Sequence, residues 1–308
     1  MAVPRADAIC TGVAHGCALA AGAVYCWGDR VRGARGAVTA AEALVPNRVV
    51  DLPPAVELRC GRTRTCTRHA DGTVRCWGEN LLAGLGDGTT DSSRDPVRVV
   101  GLGDAPFDGV VEIAAGGEQT CARLGSGRVA CWGKNDVGQL GVSANEPRTR
   151  PVLVDGLSDV IGLASGFGHT CALHRNGEVS CWGWNVSGQL GTGHVSRDDV
   201  PNPVPTRIAG LDDVVELALG HAHSCARKRD GSVWCWGAND HGQLGDGQLV
   251  DRTSPVRVVA LEGAVAVRAA ADRSCAVRRD DTLLCWGDLR VGTPPGTGTV
   301  PRAAPVAW

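Results

Sequence analysis

The sequence predicts an all-β protein, a β-propeller of six four-stranded blades whose chain ends meet to close the ring. Cys-Trp-Gly recurs six times in the 308 residues, with Trp at positions 27, 77, 132, 182, 236 and 286. The successive spacings are 50, 55, 50, 54 and 50 residues. Short alternating apolar stretches fill each repeat, and Gly or Pro interrupts every candidate helix. Repeats of about 50 residues made of strands alone are typical of a propeller.

The first strand of each repeat is predicted from a short alternating apolar segment, such as the one at 214–219 that ends before Gly220. Alternation indicates a strand with one buried face. The central apolar residue stands eight positions before the first cysteine of the repeat. The residues at this position are Ile9, Leu58, Ile113, Leu163, Leu217 and Val267.

The second and third strands form a hairpin that places two cysteines opposite each other. Its turn is a short loop with Gly in the left-handed conformation, as in Asn176-Gly177. Repeat six has Asp281 where the others have Gly, and repeat one has a two-residue turn, Ala21-Gly22. The last strand is predicted to begin at a proline. These prolines are Pro46, Pro96, Pro151, Pro205, Pro255 and Pro305.

The whole chain, residues 1–308, is predicted to form a single propeller domain. The sequence begins just before Ile9 in the first strand of repeat one and stops at Trp308 in the last strand of repeat six. We therefore expect the two ends to meet, because an open propeller would leave sheet edges exposed. Two insertions, at 101–110 and 194–203, explain the longer spacings.

Composition excludes several classes of function. The formal net charge is -2, from 31 basic and 33 acidic residues, so the broad basic footprint of a non-specific nucleic-acid binder is missing. A continuous apolar run of about 18 residues, which would predict a membrane span, does not occur. The first residues lack the apolar core of a signal peptide.

Twelve of the fourteen cysteines fall into hairpin pairs and are predicted to form disulfides, because facing cysteines in a non-hydrogen-bonded pair have closely spaced Cβ atoms. The alternative is twelve buried thiols. The pairs are Cys17/Cys26, Cys66/Cys76, Cys121/Cys131, Cys171/Cys181, Cys225/Cys235 and Cys275/Cys285. For Cys10 and Cys60, two free thiols are favoured over a bridge between blades. Disulfides indicate an extracellular, periplasmic or cell-surface location, with the leader outside this sequence.

The glycine-rich turn after each Trp carries a family resemblance. Trp-Gly-x-Asn-x-x-Gly-Gln-Leu-Gly occurs at 132–141, 182–191 and 236–245, and Gly-x-x-His-Thr-Cys-Ala-Leu at 166–173. The chain resembles the regulator of chromosome condensation repeat family, in a bacterial or extracellular form with paired cysteines. The resemblance implies a propeller, often of seven blades, that serves as a binding platform. Members include a nucleotide-exchange factor on chromatin, a secreted bacterial β-lactamase inhibitor and modules of large ligases. Repeats one and six depart from the turn motif, as terminal repeats often do.

Polar residues within the repeat favour structural roles. His15, His169 and His223 stand two positions before a cysteine, and Arg64, Gln119 and Arg273 occupy the same place elsewhere. Three imidazoles on a ring suggest a metal site, but two arginines share the ring, so hydrogen bonding to a neighbouring loop is favoured. The turn asparagines are expected to cap their turns, and each repeated Trp to fill the blade core. We predict no cofactor and no metal.

The best candidates for binding are residues that vary within the fixed repeat. After each Trp-Gly stand Asp29, Glu79, Lys134, Trp184, Ala238 and Asp288. Trp184 is the strongest anchor, since aromatic residues are enriched at interface hot spots. His241 lies in the turn of the next repeat, and Phe107 with Asp104 and Asp108 in the first insertion forms a second candidate. The alternative is ordinary loop variation.

These observations predict a non-catalytic, protein-binding propeller, an inhibitor or adaptor outside the cytoplasm, monomeric and with a protein as its partner. One alternative is a structural or cell-surface repeat module of a larger protein. An intracellular exchange-factor-like regulator is disfavoured by the cysteines. An enzyme, such as a polysaccharide lyase, lacks support because no nucleophile elbow, metalloprotease or kinase motif occurs.

Overall fold

The computed structural model describes residues 5–28, 33–34, 36, 45–103, 106–143, 145–197, 200–289 and 299–305. These residues fold into strands and turns. Within them, no helix is long and apolar enough to cross a membrane. The chain divides into two compact units, residues 1–136 with 144–157 and residues 137–143 with 158–308.

The first compact unit contains three four-stranded antiparallel sheets in which sequence neighbours pair. Its strands are β1 (Ala8–Thr11), β2 (His15–Ala20), β3 (Ala23–Gly28), β4 (Asn47–Arg48), β5 (Ala55–Cys60), β6 (Arg64–His69), β7 (Val74–Gly78), β8 (Ser93–Arg98), β9 (Val110–Ala115), β10 (Gln119–Leu124), β11 (Val129–Gly133) and β12 (Arg148–Leu153).

The second compact unit repeats this arrangement with three more sheets. Its strands are β13 (Val160–Ser165), β14 (His169–His174), β15 (Val179–Gly183), β16 (Thr206–Arg207), β17 (Val214–Leu219), β18 (His223–Lys228), β19 (Val233–Gly237), β20 (Arg252–Arg257), β21 (Ala264–Ala270), β22 (Arg273–Arg278), β23 (Leu283–Asp288) and β24 (Thr299–Pro305).

Six four-stranded antiparallel meanders confirm the predicted fold class, an all-β six-bladed propeller. Residues 1–4 and 306–308 lie outside the described residues. The predicted meeting of the chain ends and the single-domain organisation therefore stay predictions.

The hairpin register confirms the six predicted disulfide pairings. In each hairpin the two cysteines lie directly opposite each other, with Cα atoms 4.1 Å apart, a separation close to that of a non-hydrogen-bonded pair. The bonded pairs are Cys17–Cys26, Cys66–Cys76, Cys121–Cys131, Cys171–Cys181, Cys225–Cys235 and Cys275–Cys285. A bridge closing so short a loop stabilises the fold by about 2–3 kcal/mol in the chain-entropy model.

The hairpin turns also form as predicted. Gly177 has φ of +84°, and Asp281 adopts the same left-handed region with φ of +62°. In the two-residue turn, Ala21 and Gly22 both have positive φ, at +48° and +80°, as a type I′ turn requires.

The last strand of most blades begins earlier than its proline. β8 starts at Ser93 rather than Pro96, because Ser93 pairs with Gly78 across a bulge. The strands β12 and β20 also begin three residues before their prolines, opposite Gly133 and Gly237. The proline is therefore tolerated inside an outer strand, where its missing N–H removes no ladder bond.

The repeated tryptophans fill the core, as predicted. Trp236 is 0% exposed and shares a cluster with Cys171 and Cys181 of the preceding blade. Its Nε1 donates to the Gln189 carbonyl at 2.9 Å. The equivalent bonds run from Trp77 to Ala34, Trp132 to Gly84, Trp182 to Gln139 and Trp286 to Gln243. The acceptor is a backbone carbonyl, so Ala34 and Gly84 supply it as well as glutamine does.

Two expectations about the first blade are wrong. Ile9 is 67% exposed, whereas Leu58 and Val267 at the equivalent position are buried. Cys10 and Cys60 are not free thiols but form a seventh disulfide, with Cα atoms 5.4 Å apart. The bridge forms because β1 and β5 lie side by side in the first compact unit, which the sequence of either repeat alone does not reveal.

Candidate functional site

The varied residue after each Trp-Gly lies against the loop that joins the first two strands of its own blade. Trp184 N–H donates to the Gly168 carbonyl at 2.9 Å, and Lys134 N–H to the Glu118 carbonyl at 3.1 Å. Glu79, Ala238 and Asp288 make the same bond to Thr63, Ala222 and Asp272. We call these two segments together the loop face of a blade.

Glycine before the varied residue is required by this close approach. Gly183 has φ of +104°, and a Cβ there would lie 2.5 Å from the Gly168 carbonyl oxygen. No L-side chain fits such a position without displacing the backbone. The repeat therefore fixes where the varied side chain begins while leaving its identity open.

Three rings gather on the loop faces of the second compact unit. The centroids of Trp184 and His221 are 5.8 Å apart, and those of Trp184 and Phe167 are 6.3 Å apart, both edge to face. Phe167 and His221 lie 4.4 Å apart in a tilted arrangement. His221 is exposed and the other two rings are half-buried. We call Phe167, Trp184 and His221 the aromatic rim.

Backbone hydrogen bonds between blades hold the aromatic rim in place. Phe167 N–H donates to the His221 carbonyl at 3.3 Å, and His221 N–H donates to the Ala271 carbonyl at 2.8 Å. A Cβ on Gly168 would lie 3.1 Å from the Trp184 Cβ, so the indole packs against bare backbone. Rings held in this way lose little conformational freedom when a partner covers them.

The buried histidines beneath the loop faces link neighbouring blades. The His169 ring nitrogen Nε2 lies 2.8 Å from Ser224 Oγ, and His223 Nε2 lies 2.8 Å from Ser274 Oγ. His15 makes the equivalent contact with Thr65 Oγ1 at 3.0 Å. The predicted hydrogen bonds form, but their partners are strand residues of the neighbouring blade and not loop residues.

Burial also keeps these histidines uncharged. Desolvation lowers the pKa of His15 to about 4, and the pKa values of His169 and His223 to about 3. The glycine three positions earlier makes room for the ring, since a Cβ on Gly220 would lie 2.1 Å from His223 Cε1. The Gly-x-x-His pattern is thus a packing motif.

Arg64 occupies the histidine position in the second blade and is fully buried. Its guanidinium donates to the Gly117 carbonyl at 2.8 Å, to Thr120 Oγ1 at 3.0 Å and to the Gln119 carbonyl. Desolvation lowers its pKa to about 10, opposed by Glu118, whose carboxylate lies 3.7 Å away. Arg64 joins two blades as the histidines do.

The hairpin cysteines belong to the blade cores and are not part of a surface that a partner could contact. On the third strands of their blades, Cys76, Cys131 and Cys235 are each 0% exposed. Cys76 packs in the cluster around Trp132, and Cys235 in the cluster around Trp286. Cys76, Cys131 and Cys235 are therefore disulfide partners within the core, as predicted.

The first members of these pairs are equally inaccessible. Cys66, Cys121 and Cys225 are also 0% exposed and lie on the second strands of the same blades. A disulfide in this position offers neither a thiolate nucleophile nor a metal ligand, because both sulfurs are consumed by the bond. The hairpin pairs thus contribute stability.

The other predicted binding residues are not part of the aromatic rim. Lys134 pairs with Asp136 at 2.8 Å, and Glu79 is half-buried, both in the first compact unit. His241 lies in the turn after β19 and faces Asp240, with Nδ1 and Oδ2 3.4 Å apart. The turn asparagines cap as expected, with Asn239 Oδ1 accepting from Leu244 N–H at 3.0 Å. Asp29 lies outside the described residues.

The structure corrects the second binding candidate. Phe107 is 2% exposed and packs edge-on against Trp132, with centroids 5.7 Å apart. The ring of Phe107 therefore completes the core of the third blade and is not available to a partner. Asp108 is exposed, and Asp104 lies outside the described residues.

Two members of the aromatic rim were not predicted from the sequence. Phe167 and His221 occupy equivalent places in successive repeats, directly after Gly166 and Gly220. This position also varies, with Val13 and Arg62 in the first two repeats. Comparing the residue at this position across the repeats, together with the residue after Trp-Gly, would have identified both rings.

Comparison with known proteins supports the fold and the family. The family model described as RCC1-like domain matches residues 56–303. The structure of Prp20p from Saccharomyces cerevisiae is similar, with a TM-score of 0.86, 23% identity, and coverage of 98% of this chain and 76% of that one. Human WBSCR16 has a TM-score of 0.78 at 24% identity, covering 89% of this chain and 72% of that one. At these identities the likeness shows the fold alone.

Sequence relatives match part of the chain. Human HERC2, an E3 ubiquitin-protein ligase, is 30% identical over 142 residues, which are 45% of this chain and 3% of the relative. The ultraviolet-B receptor UVR8 of Arabidopsis thaliana is 29% identical over 148 residues, which are 48% of this chain and 34% of the relative. The matched stretch is thus a minor part of either protein. Because the family model spans most of the chain, this protein belongs to the family of RCC1-like domains.

Proposed function

We propose that this chain is a non-catalytic, protein-binding propeller that acts outside the cytoplasm, as an inhibitor or adaptor, with the aromatic rim as its anchor. The rim supports the proposal because it places three rings side by side on rigid loops. Aromatic residues in such positions dominate the binding energy of protein interfaces.

The family and the cysteines support the same function. RCC1-like propellers are protein-interaction folds, and the solved relatives include yeast RCC1 (Prp20) bound to Kap60 and Prp20p, described with its binding to Gsp1p and histones. Seven disulfides use all fourteen cysteines, which is consistent with an oxidising compartment. We assign the chain to the extracellular, periplasmic or cell-surface space on this ground.

The test is partner capture with matched tryptophan variants. Oxidised protein is used as bait on the extracellular fraction of the source cells, and captured proteins are then purified for direct binding measurements. Trp184→Ala is expected to weaken binding at least tenfold, the loss of a typical hot spot. The control is Trp234→Ala, since Trp234 is half-buried on β19 and packs against Lys228, 5.2 Å from Nζ to the ring centroid.

Equal affinity for wild type and Trp184→Ala, with both proteins folded by circular dichroism, refutes the aromatic rim as the anchor. A structural or cell-surface module of a larger protein is the second candidate. The small share of HERC2 that the match covers favours it. Immunoblots of source cells that show a band well above 31.9 kDa would support this alternative.

A further inference from the structure

The Cys10–Cys60 bridge differs from the other six. It joins β1 to β5, strands of two different sheets, across 50 residues of sequence. Both of its cysteines are half-buried. Every cysteine of the hairpin bridges is buried except Cys275, which is half-buried. Cys10–Cys60 is therefore the bridge most open to a reductant in solution.

A buried imidazole lies beside this bridge. The ligand atoms of His15, Cys17 and Cys60 all lie within 4.8 Å of one another. His15 is 6% exposed and is held by Thr65, whose hydroxyl also lies 3.6 Å from Cys17 Sγ. The Cys10 sulfur is not one of these three ligand atoms, but it is bonded to that of Cys60, so reduction of the bridge would release a second thiol next to the group. No other group of this kind occurs among the described residues.

We propose that Cys10, Cys60 and His15 form a binding site for Zn²⁺ once the Cys10–Cys60 bridge is reduced. Two thiolates and one imidazole are the donor set that Zn²⁺ prefers, and the fourth position of the tetrahedron stays open to water. Cys17 remains bonded to Cys26 in this state. The protein thereby has two ways to join its first two blades, a disulfide when oxidised and a metal when reduced.

The chemistry balances with a named reductant. A phosphine and one water cleave the S–S bond, which yields two thiols and one phosphine oxide. Zn²⁺ then displaces one proton from each thiol as it binds. His15 enters as a neutral imidazole and loses no proton.

The first experiment identifies the bridge that opens. Folded protein is treated with limiting water-soluble phosphine and alkylated, and the labelled cysteines are mapped by mass spectrometry. We expect Cys10 and Cys60 to be labelled before any hairpin cysteine. Labelling of Cys275 and Cys285 first would overturn the assignment, since that hairpin is the other bridge with a half-buried cysteine.

The second experiment measures Zn²⁺ binding by the reduced protein. After anaerobic removal of the phosphine, Zn²⁺ is titrated in competition with a chromophoric chelator. We expect one Zn²⁺ per chain, bound at least tenfold more weakly by His15→Gln. Glutamine already stands at this position in the third blade as Gln119, so the variant keeps a side chain that the fold accepts.

Paired cysteine variants separate this site from any other. The double variant Cys10→Ser, Cys60→Ser is expected to lose the Zn²⁺, and Cys275→Ser, Cys285→Ser to retain it. Undiminished binding by the first double variant refutes the proposal. If that variant does not fold, Co²⁺ added to reduced wild type gives a second readout. A tetrahedral spectrum with thiolate charge-transfer bands supports the site, and their absence refutes it.

Discussion

Ser274→Ala tests the joint between the last two blades. Ser274 is fully buried, and its hydroxyl donates to the Gln243 carbonyl at 3.1 Å. Because the serine proton is used in this way, the 2.8 Å contact with His223 requires Nε2–H of the imidazole as donor. Alanine removes two hydrogen bonds and leaves that N–H buried and without its acceptor. The carbonyl of Gln243 keeps its second donor, the Trp286 indole at 2.9 Å.

The expected loss is about 2–4 kcal/mol of unfolding free energy, because an orphaned buried donor costs about 1–3 kcal/mol and the serine–carbonyl bond about 1 kcal/mol. Ser274→Thr is the matched control, expected to cost under about 1 kcal/mol. Thr65 already makes both contacts in the second blade, at 2.8 Å to Ala34 and 3.0 Å to His15.

The assay is urea unfolding with disulfides intact, followed by circular dichroism. Amide hydrogen exchange in β22 is measured in parallel, since repeat proteins can lose cooperativity. A folded Ser274→Ala protein within about 0.5 kcal/mol of wild type, the scatter of neutral surface substitutions, would show that this hydroxyl does not hold the joint.

Three further predictions use the same joints. The free energy of unfolding is expected to be greatest above about pH 6.5 and to fall as the pH drops toward 4, by up to about 1.4 kcal/mol per pH unit for each buried histidine. The reason is that these histidines bind a proton in the unfolded chain but stay neutral in the folded protein. Urea unfolding of wild type and His223→Gln at several pH values checks this, and the same dependence of unfolding free energy on pH in both proteins would contradict it. Gly220→Ala is expected to abolish folding or to cost more than about 3 kcal/mol of unfolding free energy, because its Cβ would lie 2.6 Å from the Ala271 carbonyl oxygen. Gly162→Ala is the tolerated control in thermal melts, since the nearest contact of its Cβ would be at 3.5 Å. Arg64→Ala is expected to cost about 3 kcal/mol or more, because several buried carbonyls lose their donor, and a melting temperature equal to that of wild type would contradict it.

Features confined to one repeat were predictable. The hairpin disulfides follow from spacing alone, because a turn of known length sets which residues face each other. The tryptophan core and the asparagine caps were predictable because the same residues recur at the same positions of the repeats. Each of these features needs only the geometry of one blade and its immediate neighbour, and the 50-residue period supplies both.

Features that depend on which repeats touch were not predictable in the same way. The Cys10–Cys60 bridge requires β1 and β5 to lie side by side, and the aromatic rim requires the loops before His169 and His223 to bond to each other. Phe107 looked like a loop residue because it lies in an insertion, but the insertion folds back onto Trp132. Lateral packing between repeats brings the residues together in all three cases.

The shared carbonyl acceptor bears on how such chains change in length during evolution. Trp236 of one blade donates to Gln189 of the blade before it, and other described blades repeat this bond at sequence separations of 43 to 48 residues. A duplicated segment of about one repeat therefore contains both the tryptophan that donates to the preceding blade and the backbone carbonyl that accepts from the following blade. Gene duplication or loss of one segment therefore leaves the tryptophan–carbonyl bond available at the remaining joints. Relatives with a different number of blades are thus reachable in a single genetic step.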